Sequence, residues 1–244
     1  MADSIEKKFP SDGEARQLII EIGRRMYDRN FVAANDGNIT CRVSPDEIWA
    51  TPTGVSKGFM KENELIKLRL DGTVLKQGPL KVSSEIKMHL RVYLENPNAG
   101  GVTHAHPPFC TSFAIAGLPI NSAMCSEVVV TLGVVPCVHY ETPGTQGIPD
   151  SIAPYCRDYN AVLLANHGAL SWGKDLIEAW YRLESMEHFA RIQVLTEKFI
   201  GKTNLLSREQ VEALIKIRES IGISGGGFPA HCADKPQNLT DVLI

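Results

Sequence analysis

Leu18, Ile22 and Met26 recur at every fourth position of an otherwise charged stretch, which predicts an amphipathic helix from Glu14 to Ala34. The pattern stops in Asn35-Asp36-Gly37-Asn38, residues that tolerate positive φ and close turns. Beyond it the period shortens to two. Ile39 to Val43 and Ile48 to Thr51 read as strands around Ser44-Pro45-Asp46-Glu47, and Asp71-Gly72 joins a second pair, Lys67 to Leu70 and Thr73 to Lys76. Ser84 is placed to cap a helix running through Asn96, with Ile86, Leu90 and Tyr93 or Leu94 facing inward. Gly101 to His106 reads as a strand, and Pro107-Pro108 opens a further helix where proline is tolerated. Val128 to Tyr140 has strand composition interrupted at Gly133 and Pro136, and Asn160 to Ala165 is a short buried strand. Lys174 to Ile200 reads as one long helix and Ser207 to Ile221 as another, with a loose glycine-rich tail from Ser224. Hairpins among the strands, with no repeat and no linker, predict one α/β domain over 1–244 built on a mainly antiparallel sheet.

Composition narrows the partners. A chain of 244 residues buries a sizeable core, and 43% hydrophobic with 22% charged residues is ordinary for a globular protein. A formal charge of -3 gives no electrostatic reason to expect nucleic acid or an anionic membrane, so any bound anion must rely on local donors. Met1 to Lys8 mixes charges without an apolar stretch, so no signal peptide is expected, and runs such as Ala161 to Ala165 are too short to span a bilayer. Cys41, Cys110, Cys125, Cys137, Cys156 and Cys232 form no CxxC pair and read as reduced thiols of a cytoplasmic protein.

The chemistry concentrates in a few positions. Alternation along a strand projects His104 and His106 from one side, and His167 in Asn166-His167-Gly168 offers a third imidazole from a distant turn. Three neutral nitrogens with an open fourth position make a catalytic divalent-metal site, not a structural one. Glu85 adds a carboxylate at a helix start. Read alone, Gly37 and Gly54 are turn residues and Ser83-Ser84 a helix cap; beside the histidines, the backbone amides at both glycines, the hydroxyls of Thr53, Ser83 and Ser84, and the helix N-terminus could form a nest for an anion. His89, four residues after Glu85, shares its helix face and fits packing or support of the site better than metal ligation. His139, His188 and His231 have no supporting partners and read as structural or exposed.

Gly37-Asn38, Thr53-Gly54, Ser83-Ser84-Glu85, His104-Ala105-His106 and His167, in this order, resemble the class II aldolase/adducin family, over roughly residues 14–200. The resemblance implies a three-layer α/β/α fold around a mainly antiparallel sheet and a homotetramer with active sites between subunits. It also implies one divalent ion per chain, zinc first with manganese or cobalt as substitutes, on His104, His106 and His167. Glu85 resembles the acid that touches the metal in the empty site and serves as acid/base once substrate binds. Gly37, Asn38, Thr53, Gly54, Ser83 and Ser84 fall where the family holds a substrate phosphate. The implied activity is reversible cleavage of a ketose 1-phosphate to dihydroxyacetone phosphate and an aldehyde. Fuculose 1-phosphate, a 5-deoxypentulose 1-phosphate or methylthioribulose 1-phosphate would serve as substrate. The alternatives are a 4-epimerase, dehydratase or decarboxylase of the same superfamily, or a non-catalytic adducin-like module. Where aldolases of the family carry a tyrosine that assists at the aldehyde end, this chain reads Met124-Cys125-Ser126.

Overall fold

The computed structural model describes residues 9–223 and 225–227. Expectations for Met1 to Lys8, Ser224, His231 and Cys232 lie outside the described residues. At the described end of the chain, the Gly226 carbonyl accepts from Val134, and Arg218 donates to the Gly225 carbonyl.

Eight strands form one sheet in the order β4-β3-β2-β1-β5-β8-β7-β6. They are β1 (Asn38–Arg42), β2 (Glu47–Ala50), β3 (Ile66–Arg69), β4 (Val74–Lys76), β5 (Gly101–Ala105), β6 (Cys137–Val138), β7 (Ala161–Leu164) and β8 (Gly168–Gly173). Every pairing is antiparallel except β6 with β7. The expected mainly antiparallel sheet is therefore present. Among the described residues six α-helices accompany it: α1 (Asp12–Asp28), α2 (Ile86–Glu95), α3 (Pro108–Ala116), α4 (Gly147–Ile152), α5 (Leu176–Val194) and α6 (Arg208–Ser220).

Strand alternation explains the layering. Trp49, Leu163 and Ala169 join a core with α1, α3 and α5, whereas their neighbours Ile48, Val162 and Leu170 join a second core with α2 and α4. Two separate apolar faces on one sheet give three layers, α/β/α. Trp180 and Leu183 fill the first core and Trp172 and Tyr93 the second, all 1% exposed or less. No helix among the described residues is long and apolar enough to cross a membrane.

Several expected elements shift. Helix α1 begins with a capping box at Ser11 and ends at Asp28, where Asn30 takes a φ of 58° and turns the chain before Ala34. Ser84 does not cap α2: the N-cap is Glu85, with no side-chain capping bond, and Ser83 Oγ instead accepts from the Glu85 amide at 3.3 Å. The inward stripe of α2 is Met88, His89, Val92 and Tyr93, while Leu94 is exposed. A histidine displaces leucine there because both its ring nitrogens find partners. Val128–Leu132 coils into a π-helical turn, and only Cys137–Val138 forms a strand, because three valines in a row suit any buried segment. The long helix runs Leu176–Val194 and continues as a π-helical turn over Leu195–Ile200.

Candidate metal centre and active site

Asn38 of β1 lies opposite His104 of β5. Alternation sends Asn38, Thr40 and His104 to the α2 side of the sheet, opposite the face to which Ile39 and Cys41 pack. His106 stands one residue past β5, its amide donating to the Phe31 carbonyl at 2.9 Å. His167 occupies the turn from β7 to β8, reached through Asn166 at φ 55°, a left-handed conformation that asparagine tolerates. Gly168 is required next: a Cβ there would lie 2.6 Å from both the Ala105 carbonyl oxygen and His106 Cδ2. Gly37 is equally constrained, with a φ of 79° and the His104 carbonyl 2.8 Å from where its Cβ would be.

These local choices bring the three imidazoles together, with ring centroids 4.7 to 5.0 Å apart and candidate ligand atoms all within 4.8 Å. The tautomers follow from their outer partners. His104 Nδ1 donates to the Ala169 carbonyl at 2.9 Å, and His106 Nδ1 to Asp36 at 3.2 Å. Both Nε2 atoms therefore present lone pairs, and they face each other at 3.1 Å. Facing lone pairs with no proton between them repel, and a shared cation removes the conflict. Tetrahedral nitrogens about 2.0–2.1 Å from one zinc ion stand roughly 3.3 Å apart, so the spacing fits such an ion. His167 turns its Nε2 to the Glu85 carboxylate at 3.0 Å, against the same cluster. The donor set thus fits a divalent metal, held by His104, His106 and His167, with Ala169 and Asp36 orienting two of the rings.

Glu85 closes the cluster, with Oε1 3.0 Å from His167 Nε2 and Oε2 3.7 Å from His104 Nε2. Burial pushes its pKa up, but His104, His167 and the Asn38 amide outweigh that and hold the carboxyl well below its usual range. Burial also lowers the pKa of His104 and His106, favouring the neutral rings that metals require.

The expected anion-binding segments lie side by side. Pro52 bridges to Val82, and the Thr53 amide donates to the Lys81 carbonyl at 2.9 Å, placing Thr53-Gly54 beside Ser83-Ser84. Thr53, Gly54 and Ser84 are exposed, and Gly54 has φ 77° with open space beyond it. Ser83 Oγ accepts from Asn38 Nδ2 and from the Glu85 amide, leaving its own proton free to donate. Asn38 differs from its neighbours: its amide protons go to Ser83 and Glu85 and its oxygen to His89. Gly37-Asn38 can offer an anion only backbone donors.

Two residues escaped the sequence reading. Asp36, within the turn-rich run, orients His106. Lys57 is buried and donates to the Asn35 and Val55 carbonyls at 3.0 and 2.8 Å, fastening the loop before β1 to the loop after β2. Burial lowers its pKa to about 8, against the opposing pull of Asp36 and Glu85. A lysine in Ser56-Lys57-Gly58 carries no periodic signal; only the fold shows that it is inside. His89 is absent from the metal cluster, while His139 and His188 are exposed, as expected. The five described cysteines are free thiols.

A layered α/β/α fold carrying three converging imidazoles and one carboxylate defines a protein with a candidate metal site. Residues 17–194 match the family described as Class II Aldolase and Adducin N-terminal domain. The chain belongs to the class II aldolase/adducin family. It is 31% identical over 209 residues to 5-deoxy-D-ribulose 1-phosphate aldolase of Bacillus thuringiensis serovar kurstaki, covering 85% of this chain and 96% of that one. It is 29% identical over 186 residues to 3-oxo-tetronate 4-phosphate decarboxylase of Haemophilus influenzae, covering 75% of this chain and 88% of the relative. Among solved structures, an L-fuculose 1-phosphate aldolase superposes with a TM-score of 0.77 at 26% identity, over 88% of this chain and 99% of that chain.

Proposed function

We propose that this protein is a metal-dependent aldehyde-lyase that reversibly cleaves a ketose 1-phosphate to dihydroxyacetone phosphate and a short aldehyde. The observation that carries the reading is the convergence of His104 and His106 Nε2 lone pairs at 3.1 Å with Glu85 against the same cluster. His104, His106 and His167 would hold one divalent ion, zinc by preference, with Glu85 within reach of the same site. Bound there, it would supply Lewis-acid polarisation of a substrate carbonyl. Glu85 carries the proton: it takes one from the carbon next to the carbonyl in condensation and returns it in cleavage. The Gly37, Asn38 and Gly54 amides, with the Thr53, Ser83 and Ser84 hydroxyls, bind the substrate phosphate. At this end of α2 the N-cap residue Glu85 makes no side-chain capping bond of its own. Met124 and Cys125, partly buried where aldolases of the family carry a tyrosine, suit a substrate whose aldehyde end is a methyl or thioether group. The family resemblance supports a homotetramer with sites between subunits.

The similarity to a phosphorylated keto-acid decarboxylase favours one second reading, carbon dioxide release from a 3-oxo acid 4-phosphate at the same site. A substrate panel separates them. Metal-loaded protein is offered fuculose 1-phosphate, 5-deoxyribulose 1-phosphate and methylthioribulose 1-phosphate, with dihydroxyacetone phosphate measured enzymatically. A parallel assay follows carbon dioxide from 3-oxo-tetronate 4-phosphate. Dihydroxyacetone phosphate from a ketose 1-phosphate is the expected result; carbon dioxide release alone would replace the aldolase reading.

A further inference from the structure

Glu85, His89 and Tyr93 stand four residues apart at the start and along one side of α2, facing β1. Asn38 and Thr40 alternate onto the same side of that strand. Five side chains form an unbroken hydrogen-bonded line. Asn38 Nδ2 lies 2.8 Å from Glu85 Oε2, Asn38 Oδ1 2.8 Å from His89 Nε2, His89 Nδ1 3.0 Å from Thr40 Oγ1, and Thr40 Oγ1 2.8 Å from Tyr93 Oη. Asn38, Thr40, His89 and Tyr93 are each 3% exposed or less.

The polarity of the line follows from its end. An ionised carboxylate only accepts, so the nitrogen of the Asn38 amide faces Glu85 and its oxygen faces His89. His89 Nε2 must then carry the ring proton. Burial lowers the pKa of His89 to about 3, so the ring is neutral and Nδ1 accepts from Thr40. Thr40 Oγ1 in turn accepts from Tyr93, whose hydroxyl also reaches the Thr40 carbonyl at 3.2 Å. Each bond that links the five side chains is thus donated in the direction of Glu85, and the line contains no second charge. A histidine kept only for packing would need the size of the ring, not a proton on one nitrogen.

We propose that His89 and Asn38, backed by Thr40 and Tyr93, are positioning residues that hold the Glu85 carboxylate at the histidine cluster through one oxygen, Oε2. Oε1, which faces the histidine cluster 3.0 Å from His167 Nε2, is the oxygen that exchanges the substrate proton once His167 turns that nitrogen to a metal, because Oε2 is committed to an N–H that cannot accept one. The proposal rests on Glu85 being the proton carrier of the reaction proposed above.

The test uses the metal-loaded full chain with dihydroxyacetone phosphate alone in heavy water, following loss of one carbon-bound proton. His89→Phe keeps an aromatic ring and removes the donor; His89→Gln restores an N–H near the position of Nε2. Exchange is expected to fall about 10–100-fold in His89→Phe, the range for residues that orient a site, and to recover substantially in His89→Gln. The concentration giving half-maximal exchange and the bound metal should both stay within about twofold of native. Equal exchange in His89→Phe and native protein, or equal loss in both variants, would reduce the line to packing. Glu85→Gln separates the two levels: native-rate exchange in that variant overturns Glu85 as proton carrier, whatever His89 does. The line itself is read in metal-free protein carrying nitrogen-15 histidine. His89 should show an exchange-protected Nε2–H signal that vanishes in His89→Gln and moves in Glu85→Gln. A His89 signal on Nδ1, or one unmoved by Glu85→Gln, contradicts the proposal even where His89→Phe fails to fold.

Discussion

Two polar clusters meet at Glu85 and differ in how completely they are satisfied. On the α2 side, from Tyr93 to Asn38, each donor has an acceptor and the ring of His89 uses both nitrogens. On the other side, His104 and His106 spend their Nδ1 protons on Ala169 and Asp36 and turn bare Nε2 atoms toward each other. His89 and His104 are both 0% exposed, so burial alone does not distinguish them. The difference lies in what the second ring nitrogen meets. A buried imidazole with both nitrogens bonded is part of the architecture; one with a lone pair aimed at another lone pair is waiting for a cation.

The contrast can be broken at its junction first. Glu85→Gln keeps the shape of the side chain and removes proton exchange, so turnover should fall by roughly 10²–10⁴-fold while the metal stays bound. Loss of the ion from this variant would make Glu85 an obligatory ligand instead, and native turnover would remove it from the chemistry.

Acid sensitivity sharpens the satisfied side. The folded-state pKa of His89 is lowered to about 3, below the ordinary 6.5, so below 6.5 the unfolded chain takes up a proton that the folded chain refuses. The contribution is fully present above 6.5 and is lost as the pH falls toward 3. For His89 alone this amounts to about 3 kcal/mol between pH 7 and pH 4. Denaturant titrations of native and His89→Gln metal-free protein at both pH values should show a shallower acid decline in the variant. Parallel declines would mean that His89 is protonated in the fold.

A smaller effect is expected at the phosphate end. Ser84→Ala removes one exposed hydroxyl, and losing a charge-assisted hydrogen bond costs roughly 1.5–3 kcal/mol of binding. KM for the phosphorylated sugar should rise correspondingly while metal content holds. An unchanged KM would exclude Ser84 from the site. At the bottom of the scale, His139→Ala alters an exposed ring paired with Glu141 and should leave metal and turnover unchanged.

How much of this was legible in the sequence differs between the same two clusters. His104, His106 and His167 stood out because strand alternation and a glycine-flanked turn are local signals, and the structure brings all three together. Glu85 was found for a similar reason, as a carboxylate at a helix start. The satisfied line was only half visible: His89 shares a helix face with Glu85, but Thr40 and Tyr93 join it through the pairing of β1 with its neighbours and the docking of α2. The sequence puts Asn38 with the phosphate ligands through its backbone; that its side-chain amide turns inward to Glu85 and His89 depends on the docking of α2 against β1, which Gly37-Asn38 does not show. Lys57 was missed since a single lysine gives no period, and its burial depends on two loops meeting. Strand β8 passed unnoticed: its six residues are all buried and begin and end in glycine, so no alternation marks them.

The claim beneath all of this is that the unsatisfied cluster exists to hold a cation. Elemental analysis of the purified full chain, before and after dialysis against chelator, tests it directly. The account predicts about one divalent ion per chain in the native protein, restored on adding zinc to the stripped protein, and loss of most of it in His106→Ala. A chelator-stripped protein that keeps full activity, or a His106→Ala variant that keeps its full metal content, would contradict it.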